Sequence, residues 1–227
     1  MKNEFVKRFT TSLIVFLISF FLIIKGNIYF NLLLILILFI ALIEWFNLCK
    51  NKRLFILGSF FLFISLYTTS IFRDENLYFF ILIILISISS DIGGYVFGKL
   101  FKGPKLTKIS PNKTYSGSIG SYFFSLIISL IFLNYIDLKM INSSINLNIN
   151  ETIILAFVIS SINQIGDLII SYFKRLRKIQ DTGNLLPGHG GLLDRFDGML
   201  FSVPSGFIFY LYILWKKKLQ LLDQRVL

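Results

Sequence analysis

A chain of 227 residues in which 55% of the side chains are hydrophobic and 17% aromatic does not have the composition of a water-soluble domain. Its single cysteine, Cys49, excludes an intramolecular disulfide, and no cysteine and histidine cluster has the spacing of a structural zinc site. A net charge of +11 in so apolar a chain must lie in its loops, which indicates an anionic lipid or substrate rather than nucleic acid. We expect an all-α, polytopic membrane protein.

Seven apolar segments are each close to the length that an α-helix needs to cross about 30 Å of hydrocarbon. They cover residues 9–24, 27–43, 54–72, 77–97, 118–136, 151–173 and 198–215. We treat the first as a span rather than a cleaved signal peptide, because the segment Lys25-Gly26-Asn27 leads directly into the second. The prediction is one membrane domain, 1–227, with N-terminal spans in 1–76 and catalytic spans in 77–215.

Lysine and arginine are concentrated at alternate ends of these segments, and such ends face the cytoplasm. The basic ends are residues 2–8, 50–53, 99–113 and 174–178, whereas 73–76 and 137–150 are polar or nearly balanced in charge. The loops 99–117 and 174–197 are therefore predicted to be cytoplasmic. Seven spans would leave the basic residues 216–218 outside, so an even count with one re-entrant segment stays an open alternative.

The sixth span has a polar stripe along one helical face. Its members are Ser160, Asn163, Gln164, Asp167, Ser171, Lys174 and Lys178. A carboxylate at membrane depth is costly and normally faces a cavity or a partner, so Asp167 is a candidate site residue. The alternative is that Asp167 only pairs with a lysine to hold helices together. Ser171 and Lys174, one and two turns further on, favour a cavity that binds a cation and phosphate oxygens.

The fourth span ends in a second polar face that includes Asp91, Gly94 and Gly98. The spacing of the two glycines indicates close helix packing and is a weak signal for a ligand. Asp91 is a site candidate, because packing does not explain a second carboxylate in an apolar span.

The basic loop after the fourth span contains a turn at Ser110-Pro111 followed by Asn112, Lys113 and Thr114. Most of its lysines are explained by attraction to anionic lipid. Ser110, Lys113 and Thr114 are different, because a rigid turn with two hydroxyls and an ammonium group can bind a phosphate.

The segment from Pro187 to Asp197 combines a glycine-rich turn with the only histidine and three charged residues. Glycines let backbone N–H groups approach an anion, Asp194 and Asp197 offer oxygen ligands to a divalent cation, and Arg195 offers a planar fork to phosphate. His189 could bind a phosphate oxygen or transfer a proton, although a lone loop histidine is usually only a surface residue.

Together these motifs resemble the signature of the phosphatidate cytidylyltransferases, or CDP-diacylglycerol synthases. The resemblance covers about residues 85–205 and runs in order through Asp91-x-x-Gly94-Tyr95-x-x-Gly98-Lys99, Ser110-Pro111-Asn112-Lys113-Thr114, Gly166-Asp167, Ser171-x-x-Lys174-Arg175, Asp181 and Pro187-x-His189-Gly190-Gly191-x-x-Asp194-Arg195-x-Asp197. Gln180 and Ser116 depart from it, since the family usually has lysine and glutamate at these positions. We therefore assign no catalytic role to either.

The resemblance implies a membrane enzyme of phospholipid synthesis that joins CTP to phosphatidic acid and releases CDP-diacylglycerol and pyrophosphate. We take Asp167 and Asp194 as metal ligands, as the family's paired-metal site implies, with Asp197 as a third or outer ligand. Mg²⁺ is the expected ion, and a monovalent cation beside it stays open. The catalytic set is Asp167, Asp194, Lys174 and His189, and the substrate-binding set is Asp91, Ser110, Lys113, Thr114, Ser171, Arg175 and Arg195.

We expect the site to face the cytoplasm from a bacterial inner membrane, in contact with membrane lipids, and a homodimer stays open. A CTP-dependent membrane lipid kinase is the nearest alternative, because it could use much the same residues. An ion or solute transporter is an alternative of another class, since intramembrane aspartates can line an ion path. The absence of an internal repeat disfavours the transporter.

Overall fold

The computed structural model describes residues 17–139, 147–183 and 190–226, and most of them are helical. In chain order the helices are α1 (residues 17–25), α2 (Asn27–Leu48), α3 (Lys52–Glu75), α4 (Leu77–Phe101), α5 (Tyr115–Lys139), α6 (Ile149–Leu176), α7 (Leu193–Phe196) and α8 (Met199–Val226). The loop between α4 and α5 contains an antiparallel bridge between Lys105 and Thr114. The prediction of an all-α protein is confirmed.

Six segments of the described chain are long and apolar enough to cross a membrane. They are Asn27–Leu48, Lys52–Glu75, Leu77–Phe101, Tyr115–Asn134, Ile149–Leu176 and Leu193–Gln220. These six correspond to the second to seventh predicted spans, so the predicted count of about seven is close. The first predicted span, 9–24, lies largely outside the described residues, of which 17–25 are helical.

Large apolar side chains cover much of the outer surface of these helices. Phe39 on α2, Leu57 on α3 and Ile208 on α8 are 65%, 68% and 68% exposed. Exposure of such a surface to water is unfavourable, whereas lipid tails solvate it. The exposed surface therefore agrees with the prediction of a membrane protein.

The chain divides into two compact units. Unit 1 consists of Met1–Leu77 and Gly166–Leu200, and unit 2 consists of Tyr78–Ile165 and Phe201–Leu227. Helix α6 thus gives its first part to unit 2 and its last part to unit 1. A single membrane domain over 1–227 stays a prediction.

In unit 1, Trp45 anchors α2 against two other helices. Its ring meets Phe173 of α6 edge to face at 4.9 Å between centroids. Gly58 of α3 packs so closely on the indole that a Cβ at this position would lie 2.1 Å from it. Glu44 precedes Trp45 in the chain, and Lys174 follows Phe173. This packing therefore fixes the backbone from which the Glu44 and Lys174 side chains extend.

In unit 1, the C-terminal ends of α2 and α6 lie next to each other. Arg177 donates a hydrogen bond from Nε to the carbonyl oxygen of Leu48 at 3.1 Å, and a second one from Nη2 to that of Cys49. A cation in this position satisfies the last carbonyls of α2. Burial raises the pKa of the Cys49 thiol, and the charge of Arg177 opposes this only in part, so the thiol stays protonated at neutral pH.

In unit 2, glycines allow α4 and α5 to approach backbone to backbone. A Cβ at Gly93 would lie 2.3 Å from the carbonyl oxygen of Gly120, and one at Gly117 would lie 2.8 Å from that of Gly94. The packing interpretation of Gly94 and Gly98 is therefore confirmed, although the tightest contact is at Gly93. Small residues at such a crossing are typical of membrane helices.

Buried serines join the helices of unit 2. The hydroxyls of Ser90 on α4 and Ser160 on α6 are 2.9 Å apart, and those of Ser87 on α4 and Ser202 on α8 are 2.7 Å apart. Hydrogen bonds of this kind hold apolar helices together where the hydrophobic effect does not. The Ser90–Ser160 contact places the first residue of the polar stripe of α6 against α4.

Candidate active site

The predicted site residues fall into both units. Unit 1 contains Asp167, Ser171, Lys174, Arg175, Asp194, Arg195 and Asp197, and unit 2 contains Asp91, Ser110, Lys113 and Thr114. His189 lies outside the described residues, so its role stays a prediction.

Asp194 is the centre of a hydrogen-bonded cluster in unit 1. Its Oδ1 accepts from Lys174 Nζ at 2.7 Å, and its Oδ2 accepts from the backbone nitrogens of Thr182 and Gly191 at 2.7 and 3.0 Å and from Thr182 Oγ1 at 3.0 Å. The Lys174 and Asp194 side chains are only 12% and 8% exposed. Four donors, one of them charged, hold the carboxylate in one orientation. The structure thus brings together two residues that the sequence identified separately.

The two glycines that precede Asp194 give its turn the required shape. Gly190 has a φ of 82°, a backbone conformation that residues with a side chain rarely adopt. A Cβ at Gly191 would lie 2.0 Å from Thr182 Oγ1 and 2.6 Å from Glu44 Oε2. No other residue fits at Gly191 without moving the groups that surround Asp194.

Glu44 belongs to the same cluster, although the sequence analysis did not identify it. It lies in α2, is 5% exposed, and accepts hydrogen bonds from the backbone nitrogens of Leu192 and Leu193 and from Thr182 Oγ1, each at 2.8 Å. The available signal was the one used for Asp167, since Glu44 is also a carboxylate in an apolar span.

The last part of α6 presents its predicted polar face. Ser171 is buried, and its hydroxyl donates to Asp167 Oδ1 at 3.3 Å, one helical turn away. Lys174 follows on the same face and reaches Asp194. The predicted stripe is therefore present from Asp167 to Lys174, and it leads to the Asp194 cluster.

The remaining charged residues of unit 1 have local contacts. Arg175 is exposed and donates from Nη1 to the carbonyl oxygen of Ile179 at 3.4 Å, just beyond the end of α6. Asp197 Oδ1 accepts from the backbone nitrogen of Gly198 at 2.9 Å. Arg195 is exposed on α7. Their predicted roles in binding phosphate or metal stay predictions.

Unit 2 has a second polar cluster around Asp91. Asp91 is exposed, and its Oδ1 accepts from Nδ2 of the fully buried Asn163 at 2.7 Å. Asn163 Oδ1 has no hydrogen-bond partner within the described chain. The polar faces that the sequence predicted on α4 and α6 thus meet at this pair.

The predicted phosphate-binding turn in unit 2 is held by its own hydrogen bonds and by α6. The backbone nitrogen of Lys113 donates to the carbonyl oxygen of Ser110 at 3.1 Å, which closes the turn. Lys113 Nζ reaches the carbonyl oxygen of Gln164 at 3.3 Å. Thr114 Oγ1 accepts from the backbone nitrogen of Gly117 at 3.1 Å, so it caps the first turn of α5.

The oxygens of the Asp194 cluster limit how it could hold a metal ion. Within the described residues, no three acidic, cysteine or histidine side chains form a group that could hold one. Asp194 Oδ2 already accepts three hydrogen bonds, which leaves a lone pair on Oδ1 beside Lys174. Mg²⁺ commonly uses one or two carboxylates and takes its other ligands from water and substrate phosphates. The carboxylate oxygens of this cluster fit a Mg²⁺ ion that takes one or two ligands from the protein and the others from water and substrate phosphates.

Residues 54–214 match the sequence model of the cytidylyltransferase family. The phosphatidate cytidylyltransferases of Staphylococcus haemolyticus and Staphylococcus saprophyticus are 37% and 36% identical to this chain over 173 residues, which are 72% of this chain and 63% of each relative. That of Staphylococcus aureus is 41% identical over 133 residues, which are 58% of this chain and 48% of the relative. The chain thus matches from about half to just under two thirds of the length of these relatives. Since the match to the family extends over most of its helices and includes Lys174 and Asp194, the chain belongs to the cytidylyltransferase family.

Proposed function

We propose that this chain transfers the cytidylyl group of CTP to phosphatidic acid, giving CDP-diacylglycerol and pyrophosphate. The observation that supports this most directly is the buried Lys174–Asp194 ion pair in the glycine-rich turn of a cytidylyltransferase family member. The relatives named above are phosphatidate cytidylyltransferases. Neither the lipid-kinase nor the transporter alternative has comparable support.

The reaction brings two anions together, because a lipid phosphate oxygen attacks the α-phosphorus of the nucleotide and pyrophosphate leaves. Fixed cations reduce the repulsion and stabilise charge on the reacting phosphoryl group. Lys174 is held in place by Asp194, and Arg175 and Arg195 are exposed on the same unit. We assign these three side chains to phosphate binding, with Ser171 beside them.

We also propose that Asp194 and Asp167 would hold Mg²⁺, with Asp197 as a third or outer ligand and a monovalent cation left open. When bound, the ion would neutralise charge on the phosphates. The protein's own contribution is orientation, since Thr182 and Gly191 fix the Asp194 carboxylate. Lys174 donates to Oδ1 of Asp194, so its ammonium group keeps this carboxylate paired.

The cytoplasmic orientation of the site rests on charge. The basic segments 50–53 and 174–178 were predicted on one side, and the hydrogen bonds from Arg177 to Leu48 and Cys49 join the ends of the helices beside them. We therefore propose a site that faces the cytoplasm from a bacterial inner membrane and receives phosphatidic acid from the bilayer. A homodimer stays a prediction.

The test is conversion of radiolabelled CTP and phosphatidic acid by purified protein in detergent with Mg²⁺, with CDP-lipid and pyrophosphate measured together. We expect equal amounts of both products. Asp194→Asn should lower turnover by about 10- to 100-fold or more, because an amide cannot accept from Lys174 and the backbone donors at once.

The matched control is Asp74→Asn, which makes the same change on an exposed carboxylate paired with Arg73. It should keep turnover within about twofold, as surface pairs contribute little. Formation of CDP and a phosphorylated alcohol would replace the proposal with the lipid kinase. No product from a folded preparation would overturn it.

A further inference from the structure

We propose that Glu44 is a positioning residue for the Asp194 turn, and that the functional site therefore extends to α2. Glu44 lies outside the residues that match the family's sequence model, which begin at residue 54. The inference about turnover rests on the proposed function, whereas the inference about the turn does not.

Glu44 binds the backbone of the turn. Its two oxygens accept from the adjacent backbone nitrogens of Leu192 and Leu193, immediately before Asp194. An ionised or hydrogen-bonded carboxylate at the first amides of a helical turn orients that turn. Because Glu44 is buried, water cannot replace it as the partner of these nitrogens.

The chain also closes tightly around this carboxylate. A Cβ at Gly183 would lie 2.8 Å from Glu44 Oε1, and a Cβ at Gly191 would lie 2.6 Å from Glu44 Oε2. Two separate segments of the chain thus have glycine where they pass Glu44. Both segments also provide donors to Asp194, from Thr182 and Gly191.

Glu44 and Asp194 share a donor. Thr182 Oγ1 lies 2.8 Å from Glu44 Oε2 and 3.0 Å from Asp194 Oδ2. A threonine hydroxyl has one hydrogen, so the strength of its bond to one carboxylate depends on the other. Loss of Glu44 therefore changes how Asp194 is held.

Glu44 acts through the turn rather than on substrate. Oε1 accepts from Leu192, and Oε2 accepts from both Leu193 and Thr182. Oε1 keeps one lone pair, as Asp194 Oδ1 does, but Gly183 packs against this oxygen, since a Cβ there would lie 2.8 Å from it.

The experiment compares Glu44→Gln with Glu151→Gln in the full chain. Glutamine keeps the size of Glu44 but turns one acceptor into a donor, which then faces a backbone N–H group. Glu151 is the matched control, because it also lies in a helix, pairs with Lys216 and belongs to unit 2. Two readouts are measured: hydrogen–deuterium exchange of the peptide that contains residues 190–196, and kcat and KM for CTP.

We expect Glu44→Gln to speed amide exchange in this peptide and to lower kcat by about 10- to 100-fold, with a smaller change in KM. Glu151→Gln should leave both readouts at the wild-type level. A double-mutant cycle with Thr182→Val should be non-additive, because both substitutions remove the same hydrogen bond. Thr182→Ser keeps the hydroxyl and should restore most of the activity that Thr182→Val loses.

The outcomes separate the two proposals. Wild-type protein without cytidylyltransfer, together with faster exchange in Glu44→Gln, would overturn the proposed function and leave Glu44 as the residue that holds the turn. Active wild-type protein with unchanged exchange and kcat in Glu44→Gln would overturn the inference alone. If Glu44→Gln does not fold, the Thr182→Val and Thr182→Ser pair decides, and equal activity in these two would count against a shared donor.

Discussion

At the level of single residues, the Lys174–Asp194 ion pair tests how much a buried ion pair contributes to stability and to turnover. Lys174→Met should destabilise the protein by about 1–3 kcal/mol, because the buried Asp194 carboxylate loses the cation with which it is paired. It should also lower turnover by about 10- to 100-fold, since the carboxylate is no longer oriented from that side. Thermal unfolding in detergent and the CTP assay measure the two effects.

The control for this prediction is Lys216→Met. Lys216 pairs with Glu151 at 2.6 Å, closer than Lys174 and Asp194, but its side chain is 40% exposed. A pair that is this accessible to solvent contributes little to stability, so Lys216→Met should lower the unfolding temperature less than Lys174→Met does. Equal destabilisation by the two substitutions would show that burial does not distinguish these ion pairs.

The residue scale also shows where sequence reasoning succeeded and where it did not. Lys174 and Asp194 were predicted as site residues because charged groups stand out in apolar or glycine-rich surroundings, and the structure joins them. Glu44 has the same isolation in an apolar span but no motif near it. Two of its partners are the backbone nitrogens of residues 192 and 193. A contact with the backbone cannot be predicted from the pattern of side chains along the chain.

At the scale of helices, the crossing of α4 and α5 should depend on Gly120 more than on Gly98. A Cβ at Gly120 would lie 2.5 Å from the carbonyl oxygen of Gly93, so Gly120→Ala must move one helix. We expect a loss of about 1–3 kcal/mol. Gly98→Ala is the control, because the nearest atom to its Cβ is Thr114 Oγ1 at 3.2 Å, at the end of a side chain.

Thermal unfolding of the two alanine variants measures this difference. A larger loss of stability in Gly98→Ala than in Gly120→Ala would contradict the register in which α4 and α5 cross. The sequence predicted that Gly94 and Gly98 make a close contact but not which glycine makes the closest one. That choice depends on how α5 is placed along α4, and the spacing within one helix does not contain this information.

At the scale of the whole molecule, contacts at each end of α6 bear on the predicted order of the spans. In unit 2 the ion pair between Lys216 and Glu151 joins the last part of α8 to the first turn of α6. In unit 1 the other end of α6 lies beside the end of α2, through Arg177 and Leu48. A helix of the length of α6, 28 residues, extends over about 40 Å, which is long enough to cross the hydrocarbon of a bilayer.

In unit 2, Lys216 thus lies beside the first turn of α6, whereas in unit 1 residues 174–178 belong to or follow its last turn. The sequence analysis left open a re-entrant segment that would put both groups on one side. We predict the other alternative, in which the terminal cations are tolerated outside, because Glu151 neutralises one of them.

Labelling of single cysteines tests this arrangement. In a Cys49→Ser background, Lys178→Cys and Lys218→Cys should react with a membrane-impermeant maleimide from opposite faces of sealed vesicles, and Asp74→Cys should react from the same face as Lys218→Cys. All three native residues are exposed, so the introduced thiols are accessible in the folded protein. Reaction of Lys178→Cys and Lys218→Cys from one face would require a re-entrant segment between residues 178 and 218, and it would contradict the spanning arrangement of α8.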